Sequence, residues 1–121
     1  MGKRILVVED QEDNRRILRD LLTSVGYEII EATTGEEGVA LAETGRPDLI
    51  LMDIQLPGID GYEATRRIRA HPALRQVPII AVTSYALSGD DVKAMEAGCD
   101  GYIPKPFSPR ALLAKIREYL P

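Results

Sequence analysis

Residues 49–61 read Leu49-Ile50-Leu51-Met52-Asp53-Ile54-Gln55-Leu56-Pro57-Gly58-Ile59-Asp60-Gly61: an unbroken apolar run, a lone carboxylate, then turn residues. A run with no polar alternation suits a strand buried on both faces, as in parallel sheets covered by helices on each side. Ile5–Val8 and Ile79–Val82 have the same character. Tyr27–Glu31 is more polar and reads as an edge strand, and Gly101–Ile103 is the weakest of the five.

The segments between these runs read as helices. Ile17, Leu18, Leu21, Leu22 and Val25 keep to one face of the first, and Gly26 stops it. Thr34 with Glu37, Asp60 with Glu63, and Ser88 with Asp91 have capping-box spacing, the last with Asp in place of Glu. His71-Pro72 ends the third helix. Ser108-Pro109 supplies a cap and an N1 proline for the last, whose apolar stripe is Leu112, Leu113, Ile116 and Leu120. Strand–helix alternation repeated five times implies an α/β fold, a five-stranded parallel sheet with helices on both faces.

Length and composition narrow the possibilities further. At 121 residues, 45% hydrophobic and 28% charged, the chain predicts one soluble domain, 1–121, with no output domain. A net charge of −4 argues against nucleic acid as a partner. The first apolar run is short and broken by Glu9-Asp10, so neither a signal peptide nor a membrane span is expected, and Leu6 stands where a myristoylation signal needs Ser or Thr. One cysteine, Cys99, and one histidine, His71, leave no internal disulfide and no zinc site. A cytoplasmic protein is expected.

In an open parallel sheet, ligands bind beyond the carboxyl ends of the strands. There stand Glu9 and Asp10 after the first run, Asp53 after the third, Thr83 and Ser84 after the fourth, and Lys105-Pro106 after the fifth. Two carboxylates about 4 Å apart repel by roughly 4 kcal/mol at an effective dielectric of 20, so three such groups bind a cation or take up protons. Oxygen ligands without His or Cys select a hard ion, Mg²⁺ or Mn²⁺. Such an ion together with Lys105 balances the three carboxylates and leaves room for a further anion. Asp53 is then a candidate nucleophile for phosphoryl transfer, with Lys105 and Thr83 placed to stabilise the transferring oxygens.

Glu9-Asp10, Asp53 with Leu56-Pro57 and Asp60-Gly61, Thr83-Ser84, and Lys105-Pro106-Phe107 together resemble the receiver domains of two-component response regulators. The motifs occur in order over the whole chain; each is weak alone and the set is specific. The resemblance implies a flavodoxin-like strand order of 2-1-3-4-5. It implies that Asp53 takes a phosphoryl group from a phosphohistidine on a sensor histidine kinase or histidine phosphotransfer protein. Asp10, Asp53 and the backbone carbonyl of Gln55 would ligate Mg²⁺, with Glu9 acting through water. Lys105 would contact the phosphoryl group, Thr83 would turn towards it, and Tyr102 would follow as the switch aromatic. The readout would be a protein target on the face of the fourth helix, fifth strand and fifth helix. Gln55, Ser84 and Tyr85 flank the site.

Other readings are weaker. A flavin or nucleotide carrier needs a Gly/Ser/Thr-rich phosphate loop where this chain has Glu9-Asp10-Gln11-Glu12-Asp13. An aspartate-nucleophile phosphatase carries a second acid two residues after the nucleophile, where Gln55 stands, so a phosphoacceptor fits better than a turnover enzyme. A pseudo-receiver that is never phosphorylated is disfavoured by the intact set. Within the family, a receiver module of a hybrid kinase, a phosphorelay intermediate and a phosphate sink are the alternatives. Elsewhere, His71 reads as exposed and idle, Cys99 as a small residue behind a helix stop, and Arg66, Arg67 and Arg69 as a solvated face. Pro57-Gly58 and Asp60-Gly61 read as turn chemistry. Ala94, Val92 and Leu112 suit either a dimer face or core.

Overall fold

Each apolar run forms a strand whose limits differ from the sequence expectation by at most one residue. The computed structural model describes residues 2–84 and 90–121. The strands are β1 (Arg4–Val8), β2 (Glu28–Ala32), β3 (Leu49–Asp53), β4 (Ile79–Thr83) and β5 (Gly101–Pro104). The helices are α1 (Glu12–Ser24), α2 (Gly35–Gly45), α3 (Gly61–Arg69), α4 (Asp90–Ala97) and α5 (Pro109–Arg117), with a 3-10 turn at Pro72–Leu74. All strand pairs are parallel, in the order β2-β1-β3-β4-β5, so Tyr27–Glu31 contributes an edge as expected.

The apolar runs are continuous because each central strand feeds two cores. Leu6, Val8, Ile50, Met52, Ile79 and Ala81 point to the face covered by α2, α3 and α4, where Ala42, Ala64, Ile68 and Ala94 meet them. Their neighbours Ile5, Val7, Leu49, Leu51, Ile80 and Val82 point to the opposite face, against Leu18 and Leu22 of α1 and Leu112 and Ile116 of α5. Ala94 and Leu112 are therefore core, whereas Val92 is exposed. Among the described residues no helix is long and apolar enough to cross a membrane.

Several local expectations need correction. In α1, Leu18 and Leu22 are buried, but Ile17 is 58% exposed and Val25, just past its end, 41%, so the buried stripe is narrower than the apolar pattern. Thr34 and Asp60 do cap α2 and α3, accepting from the Glu37 and Glu63 N–H groups at 3.1 and 2.9 Å. Neither glutamate completes a reciprocal box. Glu37 accepts from the Thr33 N–H instead, at 2.7 Å, and Glu63 is drawn off by Arg66 and Arg67. Ser108 caps α5 through the Ala111 N–H, at 3.0 Å. The Ser88 cap lies outside the described residues. His71 is half-exposed but not idle, since its Nε2 meets the Glu43 carboxylate of α2. Cys99 is buried, 3.8 Å from the Thr65 hydroxyl, and burial pushes its thiol up to about 11.

Arg69 is the largest departure. Arg66 and Arg67 lie on the solvated face, but the Arg69 guanidinium turns inward. It donates to the carbonyls of Gly98, Leu74 and Val77 and to the Asp100 carboxylate, all between 2.7 and 2.9 Å. Asp100 also accepts from the Ile79 N–H through the same oxygen, and its carbonyl accepts from the Tyr119 hydroxyl. The end of α4, the starts of β4 and β5 and the end of the chain are thereby joined at the pole of the sheet away from the carboxyl ends. Gly98, at φ +114, makes this possible, because a Cβ there would lie 2.8 Å from the Arg69 side chain. Arg69→Met keeps the aliphatic stem and removes every donor. We expect it to lower unfolding stability by about 2–4 kcal/mol, read from the urea midpoint, because three carbonyls and a carboxylate lose their partner.

Candidate functional site

β1 and β3 are neighbours, with Val8 beside Met52, so the residues that follow, Glu9 and Asp53, leave the sheet side by side. Glu9 is 2% exposed and Asp53 4%. Asp10 is half-buried, and one carboxylate oxygen from each of Glu9, Asp10 and Asp53 lies within 4.8 Å of the others. Lys105, just past β5, reaches across β4 to place its Nζ 2.9 Å from Glu9 Oε1 and 3.2 Å from Asp53 Oδ2. Its N–H donates to the Thr83 carbonyl at 2.6 Å, which ties the lysine to the end of β4. Glu9, Asp53 and Lys105 thus meet through side-chain contacts, a carboxylate oxygen of Asp10 lies within 4.8 Å of the other two acids, and the Thr83 carbonyl is bonded to the Lys105 N–H.

Backbone donors hold the remaining carboxylate oxygens. Asp53 Oδ1 accepts from the Gln55 N–H at 3.0 Å, and Glu9 Oε2 accepts from the Gln11 N–H at 3.1 Å. The Gln11 side-chain amide donates to Asp10 Oδ2 at 3.3 Å. Thr83 is fully buried, one position beyond the Asp53–Val82 pair of neighbouring strands. Tyr102 pairs with Ala81, two residues before Thr83 on the same strand, so Thr83 and Tyr102 share the sheet face that α4 covers. Gln55 and Ser84 are exposed beside the cleft, while Tyr85 lies outside the described residues.

Gly61 belongs to the site for a reason that turn chemistry misses. A Cβ at Gly61 would stand 2.3 Å from the Asp53 carbonyl oxygen and 2.7 Å from the Ile54 Cα. The first turn of α3 is packed directly on the backbone that carries Asp53, and only hydrogen fits between them. The contact reaches across eight positions, so local sequence gives no sign of it.

The electrostatics follow from three carboxylates and one ammonium in a largely buried cleft. Burial, then the hydrogen bond and charge of Glu9, push the Asp53 carboxyl up to about 6, although Lys105 and the Gln55 N–H oppose this. Burial would raise Glu9 too, but Lys105, the Gln11 N–H and Asp53 outweigh it and hold Glu9 below the ordinary carboxylate range. Burial works against the Lys105 ammonium and is more than offset by Glu9 and Asp53, which hold its pKa above the usual lysine value. The cleft retains unbalanced negative charge and is built to take a cation. Beside it runs a groove of about 610 Å³ lined by Asn14, Ile17, Leu18, Ser84, Pro106 and Phe107 as well as Glu9 and Lys105.

The family model for the response regulator receiver domain matches residues 5–117. The chain belongs to that family. As a receiver it is 44% identical over 120 residues to the polar-differentiation response regulator DivK of Brucella anthropi, covering 99% of this chain and 98% of that one. It is 42% identical, with a TM-score of 0.92, to the receiver domain of the sensor histidine kinase PA1611 from Pseudomonas aeruginosa, over 99% of this chain and 98% of that one. That structure holds a magnesium ion coordinated in its active-site cleft. The chemotaxis protein CheY4 of Vibrio cholerae has a TM-score of 0.94 at 27% identity, over 98% of this chain and 99% of that one. This protein is thus a response regulator receiver domain of two-component signalling, with the flavodoxin-like strand order that the sequence resemblance implied.

The raised Asp53 carboxyl gives the metal-free protein a pH dependence of definite sign. With a folded pKa of about 6 against an ordinary value of 3.8, ionised Asp53 costs the fold nothing below about pH 4, and the cost is complete above about pH 6. Asp53→Asn should therefore gain on wild type by about 2 kcal/mol between pH 4 and pH 7.5, measured by denaturation at both values without divalent ions. A gap between the two proteins that stays constant with pH would show that the Asp53 charge is not strained.

Proposed function

We propose that Asp53 accepts a phosphoryl group from a phosphohistidine on a sensor histidine kinase or histidine phosphotransfer protein, and that the modified domain binds a protein target through α4, β5 and α5. The observation that carries this reading is the Asp53 carboxylate within reach of Lys105 and two further acids, at the edge of an open groove. In the transfer, an Asp53 oxygen bonds to phosphorus as the donor's P–N bond breaks, and the imidazole nitrogen keeps that electron pair. Lys105 meets a phosphoryl oxygen that has gained charge, and the Thr83 hydroxyl turns towards the same group. Tyr102, on the Thr83 face of the sheet, follows and alters the surface beside α4.

The residues present fit Mg²⁺. One ammonium leaves two of the three carboxylate charges unbalanced, and every available ligand atom is oxygen. Asp10, Asp53 and the Gln55 carbonyl would hold the ion and Glu9 would act through water, with Mn²⁺ as a substitute. When bound, it supplies positive charge for the phosphoryl oxygens. Gln55 occupies the place where a phosphatase of this chemistry carries its acid, so the domain acts as a phosphoacceptor that assists its own phosphorylation and slow hydrolysis. Ile17, Pro106 and Phe107 border the cleft with apolar surface on which the donor would seat, and we place the exchange in the cytoplasm.

Incubation with phosphoramidate and Mg²⁺ should add one phosphoryl group by intact mass, and neither metal-free protein nor Asp53→Asn should gain it. Lys105→Met should still bind Mg²⁺ but be labelled about tenfold more slowly or worse. A protein that binds Mg²⁺ and never gains the group would be a pseudo-receiver or a receiver that answers only to its partner kinase, and an adduct surviving in Asp53→Asn would move the nucleophile elsewhere.

A further inference from the structure

The loop between β1 and α1 carries Glu9 and Asp10, and it has lost the sheet that could hold it. The Glu9 N–H is the last ladder donor, bonded to the Ala32 carbonyl at 3.0 Å. The next two carbonyls, of Glu9 and Asp10, both accept from one nitrogen of the Arg15 guanidinium, each at 3.0 Å. The Arg15 side chain is only 16% exposed, and its Nε lies 3.5 Å from Glu31 of β2. Glu31 is gripped in turn by Arg19, at 2.9 and 3.1 Å. A tether of charged groups therefore runs from the edge strand through α1 to the two peptide planes that orient the acids.

We infer that Arg15 is a positioning residue for the cation site: by holding the Glu9 and Asp10 carbonyls it keeps both carboxylates turned towards Asp53. This rests on the reading of the cleft as a Mg²⁺ site. Repulsion among three carboxylates pushes the loop that carries Glu9 and Asp10 away from Asp53, and carbonyls pinned to α1 hold its backbone, and with it the Cα–Cβ direction of each acid, in place. Arg15 touches none of the ligating oxygens, so it acts through the loop. Its sign separates this role from a field effect: a cation near the cleft repels Mg²⁺, so loss of the charge alone would tighten binding.

The test is calorimetric titration of MgCl₂ into metal-free wild type, Arg15→Met and Arg15→Lys, with the metal-free thermal midpoint recorded for each. Arg15→Met should bind Mg²⁺ about tenfold more weakly, at the low end for a group acting on ligands indirectly. Arg15→Lys keeps the charge but lacks the second arm towards Glu31, and should lose about threefold. Affinity equal to or tighter than wild type in folded Arg15→Met overturns the assignment. If Arg15→Met does not fold, unchanged affinity in Arg15→Lys overturns it instead. Wild type that takes up no Mg²⁺ would overturn the reading of the cleft itself, and this inference with it.

Discussion

The Lys105 ammonium, held between Glu9 and Asp53, is the contact that lets buried carboxylates share one end of a sheet. Ion pairs at this depth are marginal contributors to stability, because desolvation consumes most of the Coulomb attraction. Their value here is geometric. Glu9 comes from the end of β1, Asp53 from the end of β3 and Lys105 from the segment after β5, so one side chain spans three connections of the fold. Only a parallel arrangement brings all of these ends to the same rim, and the β1-β3-β4-β5 adjacency places them within a side chain's length.

Much of this was legible in the sequence. Unbroken apolar runs gave the central strands because each strand feeds two cores, and the residues just past those runs gave the site because a parallel sheet sends every carboxyl end the same way. What escaped notice shares a physical cause. Arg69 reads as part of a solvated face and nothing in the sequence singles out Arg15, yet both donate mainly to backbone carbonyls, which any residue supplies and no motif marks. The predicted capping boxes became one-way caps because Arg66 and Arg67 compete for Glu63, and Glu37 found the neighbouring N–H. Ile17 continued an apolar stripe by spacing but faces the groove rather than the core.

The sheet has two poles with opposite character. At the carboxyl pole, charges of one sign gather and are incompletely balanced. At the other, the Arg69 guanidinium and Asp100 are satisfied several times over, and they bind together the end of α4, the start of β5 and, through Tyr119, the end of the chain. The three elements of the proposed readout face are thus fastened at the pole away from the cleft. A rearrangement beginning at Thr83 and Tyr102 would reach that face with its far end anchored.

Gly61 imposes a conflict that shapes how this chain can vary. Alanine is the better helix former, by about 1 kcal/mol in a helix interior and by less at the first position of α3. The same methyl group would press on the Asp53 carbonyl from 2.3 Å and shift the one residue whose position the chemistry cannot spare. Helix propensity and the packing that seats Asp53 therefore pull in opposite directions at this position, and the packing wins. A lineage adapting to heat can stiffen its other helices but not the opening turn of α3. In a genetic screen, lesions at this side-chain-free residue would be grouped with those of the acids.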